Sequence, residues 1–151
     1  MAEIVQFEPR ASQVAQDNLE QFIRLCREDL TVGGADLPWD EDQWPSFGVT
    51  FGNLDQKTRK LKPGNAMQSP FREFAKAYFR YQQGHRPTGS KPEMRALKCV
   101  ERALIESDGV ADISNLNASV LDRAATLARE NFSVGLAYHA GREISRLASF
   151  V

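Results

Sequence analysis

The run Ser69-Pro70-Phe71-Arg72-Glu73-Phe74-Ala75-Lys76-Ala77-Tyr78-Phe79-Arg80-Tyr81 places large apolar side chains at Phe71, Phe74, Tyr78 and Phe79, with Ala75 between them. That spacing of i, i+3, i+4, i+7 and i+8 lays them along one face of an α-helix and does not fit a strand, whose side chains alternate at every second residue. Ser69 is a residue type that caps first turns, and Pro70 suits the first helical position, where no N–H is required. Gly84 is a natural stop. The helical spacing assigns these aromatics to a core and not to a base-stacking surface. Tyr81, off the stripe, is expected near solvent.

The same punctuation recurs downstream. Ser90 and Glu93 fit a capping box with Pro92 in the first turn, and Met94, Leu97, Val100 and Leu104 follow on one stripe up to Gly109. Asn117 is suited to cap a third helix carrying Val120, Leu121, Ala124, Leu127 and Ala128. Ser133 is suited to cap a fourth, carrying Val134, Tyr138, Ile144, Leu147 and Val151. Gly141 inside that last helix costs helix propensity and suggests a close helix crossing. Short loops make consecutive helices neighbours, so residues 69–151 read as a four-helix bundle.

Upstream, Val14, Ala15, Leu19, Phe22, Ile23, Cys26 and Leu30 share a helical face from Ser12 to about Leu30. Residues 31–69 are irregular and rich in Gly and Pro, with Val49-Thr50-Phe51 fitting a short strand. Trp39 and Trp44, on either side of Asp40-Glu41-Asp42, are read as pinning this loop to the core. Gly52 to Ser69 is polar and basic and contains Pro63-Gly64, which makes it the best boundary between a 1–68 segment and a 69–151 domain. The fold class is therefore mainly α: a helical bundle preceded by an extra helix and an irregular segment.

The chain has 151 residues, 42% hydrophobic and 26% charged, the composition of one globular domain and not of a disordered chain. No apolar run is long enough to span a membrane, and Met1–Arg10 lacks the apolar centre of a secretory signal. A cytoplasmic location is expected, with Cys26 and Cys99 as buried reduced thiols. The net charge of −1 conceals a strong asymmetry. Residues 1–55 hold three Lys/Arg against eleven Asp/Glu, a net of −8. Residues 56–102 hold twelve against three, a net of +9, and residues 103–151 hold four against six, a net of −2. A basic middle segment points to an anionic partner, nucleic acid first.

From Pro70 onward the chain resembles the core-binding, or N-terminal SAM-like, domain of tyrosine recombinases of the phage integrase family. Three features carry the resemblance. The opening helix of spaced aromatics is Phe71 to Tyr81. A segment of the form Ile-x-x-Leu-x-x-x-x-Leu is Ile113-Ser114-Asn115-Leu116-Asn117-Ala118-Ser119-Val120-Leu121. The serine-capped last helix interleaves basic and apolar residues from Ser133 to Phe150. The resemblance covers about the last 80 residues and implies a SAM-like orthogonal bundle that forms half of a clamp on double-stranded DNA. A catalytic domain would follow in a longer protein, cutting DNA with a tyrosine nucleophile, and protomers would assemble on paired sites. His139-Ala140-Gly141-Arg142 spells the family's H-x-x-R box, but no tyrosine follows it, and in the family the core-binding domain precedes that box. The match is read as coincidence. Residues 1–68 resemble no known family.

Phosphate contacts need long cationic side chains on one surface. Arg72, Lys76 and Arg80 are spaced by four, and Lys91, Arg95, Lys98 and Arg102 by four, three and four, giving one basic stripe on each of two neighbouring helices. Arg86 in the turn between them, Arg142 and Arg146 on the last helix, and Lys57, Arg59, Lys60 and Lys62 in the irregular segment complete the DNA-binding candidates. No catalytic residue, metal or cofactor is expected, because the chain shows no Gly-rich phosphate loop, paired catalytic carboxylates, metal-ligand spacing or nucleophile elbow. The alternative is a helical protein–protein interaction module whose acidic front pairs head-to-tail with the basic middle of another chain. Basic stripes sharing an exposed concave face favour DNA, and basic stripes covered by the acidic helix favour the module.

Overall fold

In a computed structural model, residues 8–58, 60–85 and 89–151 are described, with side chains from residue 16 onward. The chain is mainly helical, as expected. Its elements are α1 (Glu8–Glu28), β1 (Gln43–Trp44), β2 (Val49–Thr50), α2 (Phe71–His85), α3 (Ser90–Asp108), a 3₁₀ turn (Ile113–Asn115), α4 (Ala118–Asn131) and α5 (Val134–Phe150). α3, α4 and α5 pack on one another, and α1 lies along α2. The strands form an antiparallel pair with Gln43 opposite Thr50 and Trp44 opposite Val49. Among the described residues no helix is long and apolar enough to cross a membrane.

The aromatic stripe of α2 is core: Phe71, Phe74, Tyr78 and Phe79 are all buried. Phe22 of α1 meets Phe74, Tyr81 and Phe150, with ring centroids 6.4, 5.6 and 5.1 Å away. Tyr81 is therefore half-buried. The two tryptophans pin the irregular segment, as read. Trp44 is fully buried, its ring lies 4.7 Å from Phe51, and its indole N–H donates to the carbonyls of Pro38 and Glu41. Phe51, Leu54 and Met67 belong to the same buried cluster as the helices. The residues around the expected 52–69 boundary thus bury into a single core shared by both segments. Cys26 and Cys99 are free and fully buried, and burial pushes their thiols up to about 11 and about 12, which leaves them unreactive.

The caps agree in part with expectation. Asn117 accepts from the Val120 amide at 2.9 Å and Ser133 from the Leu136 amide at 3.4 Å. Gly109 ends α3 with φ +78°, a left-handed conformation that favours glycine. Four expectations do not hold. The Ser69 hydroxyl bonds the Glu73 carboxylate and the Arg72 side chain, while the first amides of α2 reach the carbonyls of Ala111 and Gln68. α3 is entered through Gly89, and Ser90 Oγ donates to the Phe47 carbonyl, so no capping box forms. Gly84 lies within the last turn of α2 and does not end it. Gly141 serves no close crossing, since a Cβ there would meet nothing within 4 Å.

Glu93 is instead a core residue. It is buried and half-paired: Gln83 Nε2 donates to Oε1 at 3.4 Å, and Oε2 has no partner. Burial, reinforced by Glu143 and opposed by the Gln83 bond and Arg146, raises its carboxyl from 4.5 to about 8. Glu101 is likewise buried and raised by burial, with its Oε2 accepting the Gln68 amide at 2.7 Å.

Two measurements follow. The folded chain holds a proton on Glu93 that the unfolded chain releases above pH 4.5, so the stability from this group is intact below 4.5 and lost as pH rises through about 8. The urea midpoint should therefore fall between pH 5 and 9, and Glu93→Gln should shrink that fall, leaving the part due to Glu101. Separately, Gly141→Ala should stabilise the chain by about 1 kcal/mol, the propensity gain alone, and raise the melting midpoint by about 3 °C.

Candidate nucleic-acid interface

Where the cations lie decides which surface is free to meet an anion. The α2 stripe, expected to be exposed, is turned inward. Lys76 is 3% exposed; its ammonium donates to the Trp39 carbonyl at 2.8 Å and pairs with Asp42 at 3.1 Å. Arg80 is 2% exposed and donates to four backbone carbonyls: Val32 at 2.9 Å, Gly34 at 2.9 Å, and Cys26 and Arg27 at 3.1 Å each. Cys26 and Arg27 belong to the last turn of α1, whose carbonyls lack helical partners. Arg72 is half-exposed, 3.5 Å from Asp42 and 3.3 Å from Glu73. The physical reason is the irregular 31–42 segment. Turn and Trp44 hydrogen bonds meet part of its carbonyls, and the long cationic side chains of α2 supply further donors to Val32, Gly34 and Trp39.

The α3 stripe differs. Lys91 is exposed, and Arg95, Lys98 and Arg102 are half-exposed. Arg102 is tied to Asp55 at 2.8 Å. Lys91, Arg95 and Lys98 make no ion pair among the described residues. With Lys57 they line a cleft of about 300 Å³ between α3 and the β2 region, together with Gly48, Val49, Thr50, Gln56, Thr58 and Met94. Among the described residues no carboxylate lines it. Burial, with Lys57 and Arg95 alongside, holds Lys98 below the usual lysine range, while Glu101 and Cys99 oppose this weakly. The Arg95 guanidinium lies 5.8 Å from the Phe132 ring, at the α4–α5 junction.

Of the basic segment, Lys57 and Thr58 line this cleft. Gly52 and Ala66 pair across the neck of the loop, Asn53 Oδ1 accepts the Asp55 amide at 2.9 Å, and Asn53 Nδ2 donates to the Gly64 carbonyl at 3.3 Å. Gln56, buried, donates from Nε2 to the Thr58 carbonyl and, at 2.9 Å, to the Lys60 carbonyl. A Cβ at residue 52 would lie 2.6 Å from Gln56 Cγ, so glycine makes room for the residue that curls the loop. Lys57, Lys60 and Lys62 are exposed. Arg59 and Arg86 lie outside the described residues. On α5, Arg142 is exposed and Arg146 pairs with Glu143 at 2.9 Å. His139, Arg142 and Arg146 flank Gly89 and Pro92 at the start of α3, on a second small cleft of about 160 Å³.

The structure thus brings Lys57 and three cations of α3 together and withdraws Lys76 and Arg80. Gln56, Met94 and Phe132 were not among the sequence candidates. The signals available for Gln56 were Gly52 and the Asn53-x-Asp55 turn; nothing in the sequence pointed to Phe132 beneath Arg95. Among the described residues no group of three or more His, Cys, Asp or Glu side chains forms a metal site. No family model matches the chain, and no curated protein or solved structure matches it.

Arg80 and Arg95 should behave as opposites. Arg80→Met leaves four carbonyls short of a donor and should cost about 3 kcal/mol or more in urea unfolding followed by helical circular dichroism, with Arg80→Lys recovering less than half. Arg95→Ala should stay within about 0.5 kcal/mol of the parent.

Proposed function

We propose that the chain is a non-catalytic domain that binds double-stranded DNA through the face built from α3 and the 56–62 loop. The observation that carries this is the cleft in which Lys57, Lys91, Arg95 and Lys98 converge with no carboxylate among the described residues of its lining. Elsewhere in the fold Arg72, Lys76, Arg102, Arg123 and Arg146 pair with acids. Like charges gathered on one surface repel and are relieved by an anionic partner, and phosphates release their own counterions on contact. Lys60, Lys62 and Arg142 are exposed cations outside the cleft lining.

In its narrower form, the domain is the core-binding half of the DNA clamp of a tyrosine recombinase. What supports this form is the order of elements from Phe71: a buried aromatic helix, the Ile113–Leu121 segment and a serine-capped last helix. Cleavage and rejoining would belong to a catalytic domain following it, and assembly on paired sites would bring copies together.

A second reading, a helical protein–protein interaction module, draws on a different observation. α4 and α5 leave an open groove of about 510 Å³, with Val134 89% exposed and Tyr138 64% exposed at its edge. The pairing of acidic front with basic middle, which that reading invoked between chains, is made within the chain at Asp42–Lys76 and Asp42–Arg72.

Fluorescence anisotropy of a labelled duplex across a salt series separates the two. DNA binding should weaken steeply with salt, and Lys91→Gln and Arg95→Gln should each lower the log–log salt slope by about 1. Arg72→Gln should leave it unchanged. Absence of binding at roughly 50 mM salt would defeat the DNA reading and leave the interaction module. Preference for duplexes carrying a recombination site over unrelated duplexes would favour the narrower form.

A further inference from the structure

The cleft between α3 and the β2 region has features that a flat basic surface lacks. Its four cations come from two separate parts of the chain, Lys57 from the loop and Lys91, Arg95 and Lys98 from successive turns of α3. Its volume, about 300 Å³, is at the small end for a ligand pocket. Lys98 is half-buried with no carboxylate partner among the described residues, a costly arrangement for an ammonium unless something anionic completes it. Among the described residues its one hydrogen bond is long, 3.5 Å to the Gln56 carbonyl, which leaves donors of the ammonium uncommitted there.

The wall opposite α3 is held in place. Gln56 anchors the Thr58 and Lys60 carbonyls, and the Gly52–Ala66 bridge closes the loop behind it. Lys57 is therefore presented to the cleft by a braced turn and not by a free arm. On the other side, Arg95 is steadied by the Phe132 ring. Such bracing lowers the ordering cost of gripping a ligand.

We propose that this cleft seats a single phosphate group, held by Lys57, Lys91, Arg95 and Lys98. The ligand chemistry is a tetrahedral phosphoryl oxyanion. It is met either as one phosphodiester of the duplex backbone, which makes the cleft the fixed point of the DNA face, or as a free or terminal phosphate. The phosphodiester identity rests on the DNA reading above; the seat itself does not.

The test uses inorganic phosphate as the probe, with amide NMR of the full chain. Phosphate at constant ionic strength should shift the amides of Thr50, Lys57, Thr58 and Lys98 saturably, and chloride should not. Lys98→Met keeps the half-buried stem and removes the charge; it should weaken phosphate binding at least tenfold with the circular dichroism spectrum unchanged. Gln56→Ala should weaken it less. Shifts that rise without saturation, appear equally with chloride, or centre on Arg129 and Arg142 would overturn the proposal. So would tight phosphate binding by the Lys98→Met variant.

The DNA arms separate this proposal from the reading it extends. A duplex bound by parent and Lys98→Met alike, with no saturable phosphate binding, would sink the seat and leave DNA binding through Lys60, Lys62 and Arg142. Saturable phosphate binding without duplex binding would keep the seat and sink the DNA reading. Tighter binding of a 5′-phosphorylated duplex than of its 5′-hydroxyl counterpart, lost in Lys98→Met, assigns the seat to a terminal phosphate. Equal binding of both, weakened in that variant, assigns it to the backbone.

Discussion

The buried guanidinium of Arg80 is the contact on which the rest of the arrangement depends. It donates to carbonyls in the last turn of α1 and to Val32 and Gly34 just beyond it. A helix end buried without partners would be unstable, and the loop that follows would have nothing to fold against. By meeting both needs at once, Arg80 fixes α1 alongside α2 and sets the direction in which the irregular segment leaves. One turn earlier on α2, Lys76 repeats the device with Trp39 and Asp42. Between them these two side chains hold the 31–42 segment across α2.

That docking has an electrostatic consequence. The acidic front of the chain is brought to the cations of α2 and neutralises part of that stripe. With Trp44, Phe51 and Met67 buried beneath it, the segment then returns past α3, where its loop is basic and not acidic. The result is a separation of charge over the surface. One face has its cations matched; the other holds Lys57, Lys91, Arg95 and Lys98 together, with no acidic partner among the described residues. Such a fixed positive potential steers anions and costs the fold some stability through self-repulsion. Buried Glu93 and Glu101, raised by desolvation, are a second place where the fold carries electrostatic cost, on the inner side of α3.

Much of the fold was legible before the structure. The stripe Phe71, Phe74, Tyr78 and Phe79, the caps Asn117 and Ser133, and the stop at Gly109 each rest on local rules of helical spacing and terminal hydrogen bonding. The tryptophans could be assigned to the core because large aromatics in a Gly- and Pro-rich segment have few other ways to be buried. The capping box at Ser90 and Glu93 failed because a carboxylate three residues into a helix has two possible destinations, and only packing against α2 and α5 chose the inner one. The site was legible in half. The spacing of Lys91, Arg95 and Lys98 made a stripe, but an equal spacing of Arg72, Lys76 and Arg80 made an identical one.

What separated those two stripes was not local. The amino-acid sequence by itself determined the helices, their apolar faces, the polarity of charge along the chain and the residue types able to meet phosphate, because each of these depends on neighbours within a turn or two. Only the tertiary structure decided which cations are spent inside the fold. Lys76 and Arg80 meet carbonyls some forty to fifty residues away, and Lys57 joins α3 across a comparable distance. Long side chains with several donors bond whatever unpartnered oxygen the packed chain brings to them, and spacing along one helix carries no information about what will lie opposite.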